Sequence, residues 1–593
     1  LAAESEEGAD VFDSMDGRFQ ARLKGLRTMT KSFAGTAGPI EATTNYAILE
    51  AKFDLKVLDR LHEPSFVAIE RSTASGPSYM VYEVFNVAPM HFQMLGVSAS
   101  VPQQIREEFL DRVSESWGGS DETWIDISAV PTGYKMAIDR GRPQFERSRL
   151  IPLYGSRAHV LSDMAVKEFL CVKDGLKIGD VSGLKIGLEV DPEALIRYHI
   201  GIFGFTGVGK SNLTANLLRK LMERDPSLRV CIIDVSGEYP VHLADKLSFG
   251  RLYSTEDYGE DVRILAQSQV VPETLEARLN DQGWLVGMLQ GLKAQGRIKV
   301  VDLSETMTTW TLQKVYEVLS SIAEDKKTGY LAAEHCLDEL RKHFMSKGIP
   351  RRTELLNLSR EDVEFIIGQL NDLKGKMHEK SGALKDIEEA VEIITTLTSE
   401  KAEPSTDHRR PEDVAKDLLS GEDRLFIVYA PDPDEARSFV ARFLGRLLYL
   451  KKVYGYRQKV LVVLDEAQEF APGDARGPYE DSSKAVEALL RQGRKYRAFA
   501  LISTQRVARL NTNALQQLHS YFVSTLPRSY DRMVIAESFS LDYSVLEKTS
   551  QLSTGEWLFV SYKATRQKNV PVFIRAENNE DAVYEFIRTS NAT

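Results

Sequence analysis

The chain has 593 residues, 43% hydrophobic and 27% charged, with 86 acidic side chains against 75 basic ones and a formal net charge of −11. That composition is ordinary for a folded, multidomain protein and excludes disordered and fibrous classes. No apolar run approaches the ~18 residues a membrane span needs, so no membrane partner is expected. The acidity argues against a surface that is basic all over, but not against a basic groove or ring lumen.

Residues 1–30 are first acidic (Glu4, Glu6, Glu7, Asp10) and then basic (Arg18, Arg22, Lys24, Arg27). This reads as a mobile tail. The acidic stretch stands where a secretory leader would be basic and then apolar, and the first residue, Leu1, points to a trimmed extreme N terminus. Cys171, Cys231 and Cys336 are the three cysteines and build no disulfide framework. A reducing, cytoplasmic location is expected.

From about Tyr46 the texture turns to β. Tyr46–Leu55, Ser65–Ile69 and Tyr79–Val87 are rich in Val, Ile, Phe and Tyr and are separated by turn formers. A further β-like region spans Arg157–Val172, with turns near Gly179 and Gly183. Short strands at this spacing form a small barrel or sandwich.

Next comes Tyr198–Phe203, an apolar run leading into Gly204-Phe205-Thr206-Gly207-Val208-Gly209-Lys210-Ser211, with a helical pattern from Asn212 to Glu223 behind it. The eight residues fit the phosphate-loop pattern G-x-x-x-x-G-K-[ST] in the strand–loop–helix context it requires. The glycines let backbone N–H groups converge on phosphates at a helix N terminus. Lys210 is then expected to reach the β- and γ-phosphates and Ser211 to hold Mg²⁺, with Gly204, Thr206, Gly207, Val208, Gly209 and Asn212 completing an ATP site.

Five apolar runs follow (Val230–Asp234, Ile298–Leu303, Leu425–Tyr429, Val460–Leu464 and Ala498–Thr504), alternating with helical stretches. That alternation specifies α/β architecture with a mostly parallel sheet. Later runs at Tyr521–Thr525, Trp557–Tyr562 and Val570–Ile574 extend it. Between about 300 and 425 lies a helical region, in which Ser359-Arg360-Glu361-Asp362 has the form of a capping box. His335, Cys336, Asp338 and His343 lack zinc-site spacing and read as structural. Glu400 to Arg410 is polar and reads as a surface loop.

Val460–Leu464 ends in Asp465-Glu466. At the carboxyl end of a strand in such a sheet, Asp465 would face Mg²⁺ and Glu466 would activate the attacking water. Asp234 ends another strand and either serves the same edge or closes a turn. Gln505 follows Leu501–Thr504 and either senses the γ-phosphate or caps the strand. Arg494, in the basic run Arg491–Arg497, is either a solvated helix end or a charge supplied to a neighbour's phosphates.

Taken in order, the set resembles the HerA-type DNA translocases, within the HerA/FtsK group of RecA-like P-loop ATPases. It is carried by His199–Gly204, Gly207–Ser211, Ile233–Tyr239, Leu464–Phe470, Gly493–Tyr496, Ser503–Arg506 and Leu552–Glu556. Where many relatives have arginine directly before the lead-in histidine, this chain has Tyr198, with the arginine at Arg197.

The resemblance implies a β-barrel domain over 31–190 and a RecA-like core over 191–255 and 421–576. Residues 256–420 then supply a core strand and a helical insertion, and 577–593 a C-terminal segment. It also implies a hexameric ring on double-stranded DNA, working with a nuclease or sirtuin-type effector and suited to antiviral defence. Asp234 and Glu466 become catalytic carboxylates, Arg494 a charge supplied to ATP and Gln505 a sensor. A nucleotide-gated scaffold for an effector and a secretion-type ATPase share the same core and are the alternatives.

Overall fold

The computed structural model describes residues 11–35, 38–61, 65–74, 76–96, 102–117, 122–259, 261–279, 283–303, 310–324, 330–353, 355, 358–377, 382–399 and 408–590. Two compact units divide the chain, the first made of Leu1–Val301 with Arg410–Thr593 and the second of Asp302–Arg409.

The first unit opens with β1 (Ala21–Gly35), β2 (Gly38–Lys52), β3 (Phe66–Thr73), β4 (Gly76–His91), β5 (Thr123–Asp139), β6 (Arg142–Arg147) and β7 (Arg157–Val160). All pair antiparallel. From β1 the pairing runs to β2, then β5, β4, β3 and β7, and returns to β1, while β6 adds to β5. Alternate residues of β5 (Ile125, Ile127, Ala129) are buried against Leu23 of β1, Leu49 of β2 and Val67 of β3. That period of two is what a half-buried strand requires.

Two expectations for this region need correction. Residues 21–30 are not tail but the start of β1, because Phe19, Ala21 and Leu23 turn into the core while Arg22 and Lys24 alternate outward. Val11 is also buried, and Phe12 bridges to Leu161. The second correction concerns Arg157–Val172. Only β7 is strand there, and Asp163–Leu170 is a helix capped by Ser162, whose hydroxyl accepts from the Ala165 N–H. Ala165, Val166, Phe169 and Leu170 fall on one helical face and are buried.

A large sheet follows, made of β8 (Leu176–Val181), β9 (Gly187–Val190), β10 (Ile200–Phe203), β11 (Leu228–Asp234), β12 (Gly250–Ser254) and β13 (Ile298–Val301). After β14 (His408–Arg409), which lies in the second unit, it resumes with β15 (Leu425–Tyr429), β16 (Lys459–Leu464), β17 (Ala498–Thr504), β18 (Ser520–Val523), β19 (Glu556–Ser561) and β20 (Val572–Arg575). Within the first unit the spatial order is β13-β12-β15-β11-β16-β17-β10-β18-β19-β20-β8-β9. Pairing is parallel from β13 to β18 and antiparallel beyond it. Every residue of β10, β15 and β17 is buried, as strands covered by helices on both faces must be.

The second unit packs helices Leu312–Glu324, Tyr330–Ser346, Arg360–Lys374 and Gly382–Ser399 around Leu319, Leu340, Ile366, Leu370, Ile387 and Ile394. Ser359 caps the third of these through the Asp362 N–H. His343 bonds Asp362 at 2.8 Å and stacks on Phe365. Of the expected surface loop, residues 400–407 lie outside the described residues. Among the described residues no helix is long and apolar enough to cross a membrane.

Candidate active site

The phosphate-loop sequence, residues 204–211, lies at the carboxyl end of β10, which pairs between β17 and β18 near one end of the parallel part of the sheet. Gly207 and Gly209 adopt φ of 84° and 95°, a left-handed backbone that glycine supplies without strain. Gly207 is exposed, and a Cβ there would meet nothing within 4 Å, so its backbone conformation and not crowding calls for glycine. Gly209 leads into the helix Lys210–Arg224, which buries Leu213, Leu217, Leu218 and Leu221. The first-turn N–H groups of that helix therefore face the loop without intrahelical partners.

Lys210 is 9% exposed, and its ammonium donates to the Phe205 carbonyl at 3.4 Å and stands 4.0 Å from Glu466 Oε1. Glu466 follows β16 in a left-handed conformation, φ 48°, an unfavourable backbone for a side-chain-bearing residue and one that clusters at functional sites. Its other oxygen accepts from Gln468 Nε2 at 2.9 Å. Gln468 Oε1 in turn accepts from the Thr504 hydroxyl at 2.5 Å. One strand, β17, separates β10 from β16; Thr504 at its end reaches Gln468 after β16, and Gln505 next to it reaches the loop after β10. The Thr206 hydroxyl in the loop donates to Gln505 Oε1 at 2.5 Å.

Asp465 is buried and accepts from the Ser503 hydroxyl at 2.7 Å. Burial pushes its carboxyl up to about 7; the Ser503 bond opposes that shift, and Glu466, Asp234 and Glu238 add to it. Asp234 is fully buried and is raised to about 6, first by burial, against three backbone donors. Those donors are the N–H groups of Ser236 and Gly237, bonded to Oδ1, and of Tyr239, bonded to Oδ2. Both oxygens therefore close the turn, and the side chain acts on the site through its field.

The structure thus gathers Thr206, Lys210, Asp465, Glu466 and Gln505 at one sheet edge, with Asp234 next to them. Arg494 lies elsewhere. Its guanidinium sits 5.3 Å from the centre of the Tyr198 ring, at the opposite end of β10 from the loop. Arg197 and Lys563 lie 6.0 and 5.9 Å from the same ring, and His519 stacks on it at 5.0 Å. Gln468 and Ser503 were not singled out as site residues from sequence, although both lie inside motifs that point to the site.

Among the described residues no group of three or more His, Cys, Asp or Glu encloses a metal by itself. A cation here would be shared between a hydroxyl, a carboxylate and phosphate oxygens, as Mg²⁺ commonly is. Burial is the main cause that raises Asp465, and the smaller repulsion from Glu466, Asp234 and Glu238 is a crowding of negative charge that such a cation would relieve. Ser211 and Asp465 fit that role.

Residues 176–448 match the family described as Helicase HerA, central domain. The chain is 22% identical to the DNA double-strand break repair helicase HerA of Sulfolobus acidocaldarius, over 70% of this chain and 72% of that one. It is 21% identical to the protein of that name in Pyrococcus furiosus, over 68% and 70%. Among solved structures, VirB4 of Thermoanaerobacter pseudethanolicus matches with 17% identity over 68% of this chain and 96% of its own, at a TM-score of 0.36.

Proposed function

We propose that this chain, an ATP-hydrolysing enzyme with a HerA-type central domain over residues 176–448, is a motor that moves double-stranded DNA through a hexameric ring of its own copies, beside a nuclease or other effector protein. The observation that carries this reading is the meeting of Lys210, Asp465-Glu466 and Gln505 at the carboxyl edge of the parallel sheet, which is where ligands sit in such sheets.

In this reading the loop N–H groups and Lys210 bind the ATP phosphates. Glu466 accepts the proton of the attacking water, and Gln468 holds that carboxylate in place. Gln505, next to the loop through Thr206, orients the water or senses the γ-phosphate. Ser211 and Asp465 would hold Mg²⁺, which when bound neutralises charge on the β- and γ-phosphate oxygens. Arg494 serves a neighbouring subunit.

The core is read as RecA-like, with Asp302–Arg409 as its helical insertion. The N-terminal strands are read as a barrel, which the return of pairing from β7 to β1 supports.

Hydrolysis measured on a size-defined oligomer, with and without duplex DNA, tests the whole reading. Stimulation by DNA is expected. An unchanged rate would overturn the DNA motor and favour a ring that organises a protein partner.

A further inference from the structure

The helix behind the phosphate loop carries Asn212, Asn216 and Arg219 at i, i+4 and i+7, so the three share one face. A helix face turned to its own protein is ordinarily apolar at that spacing. Here each side chain bonds to the segment that follows β20. Asn212 Nδ2 donates to Asn578 Oδ1 at 3.0 Å, and the Asn579 N–H donates to Asn212 Oδ1 at 2.7 Å. Asn216 Nδ2 donates to the Glu577 carbonyl at 2.9 Å, and Arg219 Nε donates to Asn579 Oδ1 at 3.2 Å.

The same segment reaches the loop from its other side. The Ala576 N–H donates to the Gly555 carbonyl at 2.9 Å, and the Gly555 N–H donates to the Val208 carbonyl at 3.1 Å. Loop and helix start are thus clasped by residues more than 340 positions later in the chain.

Hydrogen bonds add direction to this contact, which apolar packing would leave loose. Asn212 directly follows Ser211, in the turn whose N–H groups face the loop.

Resting on the nucleotide-site reading above, we propose that Asn578 is a positioning residue for the nucleotide. Through Asn212 it fixes the first turn of the helix, so the phosphate donors are ordered before ATP arrives. Preorganisation of this kind strengthens binding by removing an ordering cost, and it leaves the chemical step to Glu466. Its signature is a change in KM and in nucleotide affinity, with kcat little moved.

Asn578→Ala is therefore expected to raise KM for ATP and Kd for a fluorescent ADP about five- to tenfold, the range of a single lost hydrogen bond, with kcat within about twofold. Asn578→Asp retains an acceptor for Asn212 Nδ2 and for the Glu580 N–H, which Asn578 also caps, and should restore both values. Asn212→Ala should match Asn578→Ala, and the double variant should be no worse than either single one. Asp581→Ala removes the Arg278 pair on the helix Asn579–Ser590, which begins directly after Asn578, and should leave KM unchanged.

Unaltered KM and Kd in Asn578→Ala would overturn the proposal, as would no recovery in Asn578→Asp or an equal rise in Asp581→Ala. Lys210→Ala, measured alongside, separates the two readings. If it keeps full nucleotide binding, the site itself is misassigned. If it loses binding while Asn578→Ala does not, only the positioning role fails.

Discussion

The Lys210 ammonium stands 4.0 Å from the Glu466 carboxylate, and the lysine is only 9% exposed. At that distance the two charges partly neutralise one another. In the proposed reading, phosphates compete with Glu466 for Lys210, while Gln468 holds the Glu466 carboxylate in place to accept a proton.

Glu466→Gln should keep ATP binding, or tighten it, because the amide no longer repels phosphate or competes for Lys210. Turnover should fall by about 10²–10⁴, the usual worth of a general base. Lys210→Ala should instead weaken binding. Equilibrium binding of a fluorescent nucleotide and steady-state phosphate release check both. Near wild-type turnover in Glu466→Gln would remove the base from this position.

Gln505 is bonded to Thr206 across the gap between β17 and the loop, so it can register what occupies the loop. Gln505→Ala should bind ATP normally and hydrolyse it about 10²-fold more slowly, the range seen when one preorganised donor is removed. Thr206→Val should cost much less, because it frees the amide without deleting it. Equal losses in the two variants would mean that Gln505 only braces the loop.

Much of this site was legible in the sequence, because the phosphate loop and the Asp465-Glu466 strand end combine fixed spacing with strong apolar runs. β15 and β17 coincide with their runs for the same reason. β12 (Gly250–Ser254) went unseen because Leu252 and Tyr253 alone give no pattern. β1 was hidden by the outward-facing Arg22, Lys24 and Arg27, which look like a solvated arm until Leu23 is seen buried. Gln468, Ser503 and Asn578 are single polar residues whose roles depend on partners brought close by folding, and no periodicity announces them.

His159 lies between two carboxylates, with Asp16 at 2.8 Å from Nδ1 and Glu70 at 3.0 Å from Nε2. Burial alone would lower its pKa, but hydrogen bonding and attraction from Asp16 and Glu70 raise it above 6.5. A folded-state value above the unfolded one stabilises fully below the unfolded pKa and is lost as pH rises through the folded one. As pH rises above 6.5, the ordinary imidazole value, unfolding monitored in the N-terminal region should therefore show stability falling. His159→Gln should flatten that slope. A slope unchanged by the substitution would assign the pH dependence to another group.

Arg494 cannot serve the phosphate loop of its own chain. It rests against Tyr198, before β10 begins, while the loop starts after that strand ends. Four strand residues span about 13 Å, longer than an arginine side chain. Arg494 is exposed at this end and is accompanied by Arg197 and Lys563 around the same ring. None of the three has a carboxylate within ion-pair distance among the described residues. Cations held together without acidic partners suit an incoming anion, and in a ring of copies the anion available at a subunit boundary is the neighbour's ATP. Loss of Arg494 should then spare nucleotide binding and lower turnover by about 10³-fold or more, as for arginines supplied in trans. The test mixes Arg494→Ala subunits with Lys210→Ala subunits, each nearly inactive alone. Activity should return at boundaries where an intact loop meets an intact arginine. Verified mixed rings that stay inactive would place Arg494 outside the neighbour's site and leave it as a surface contact of Tyr198.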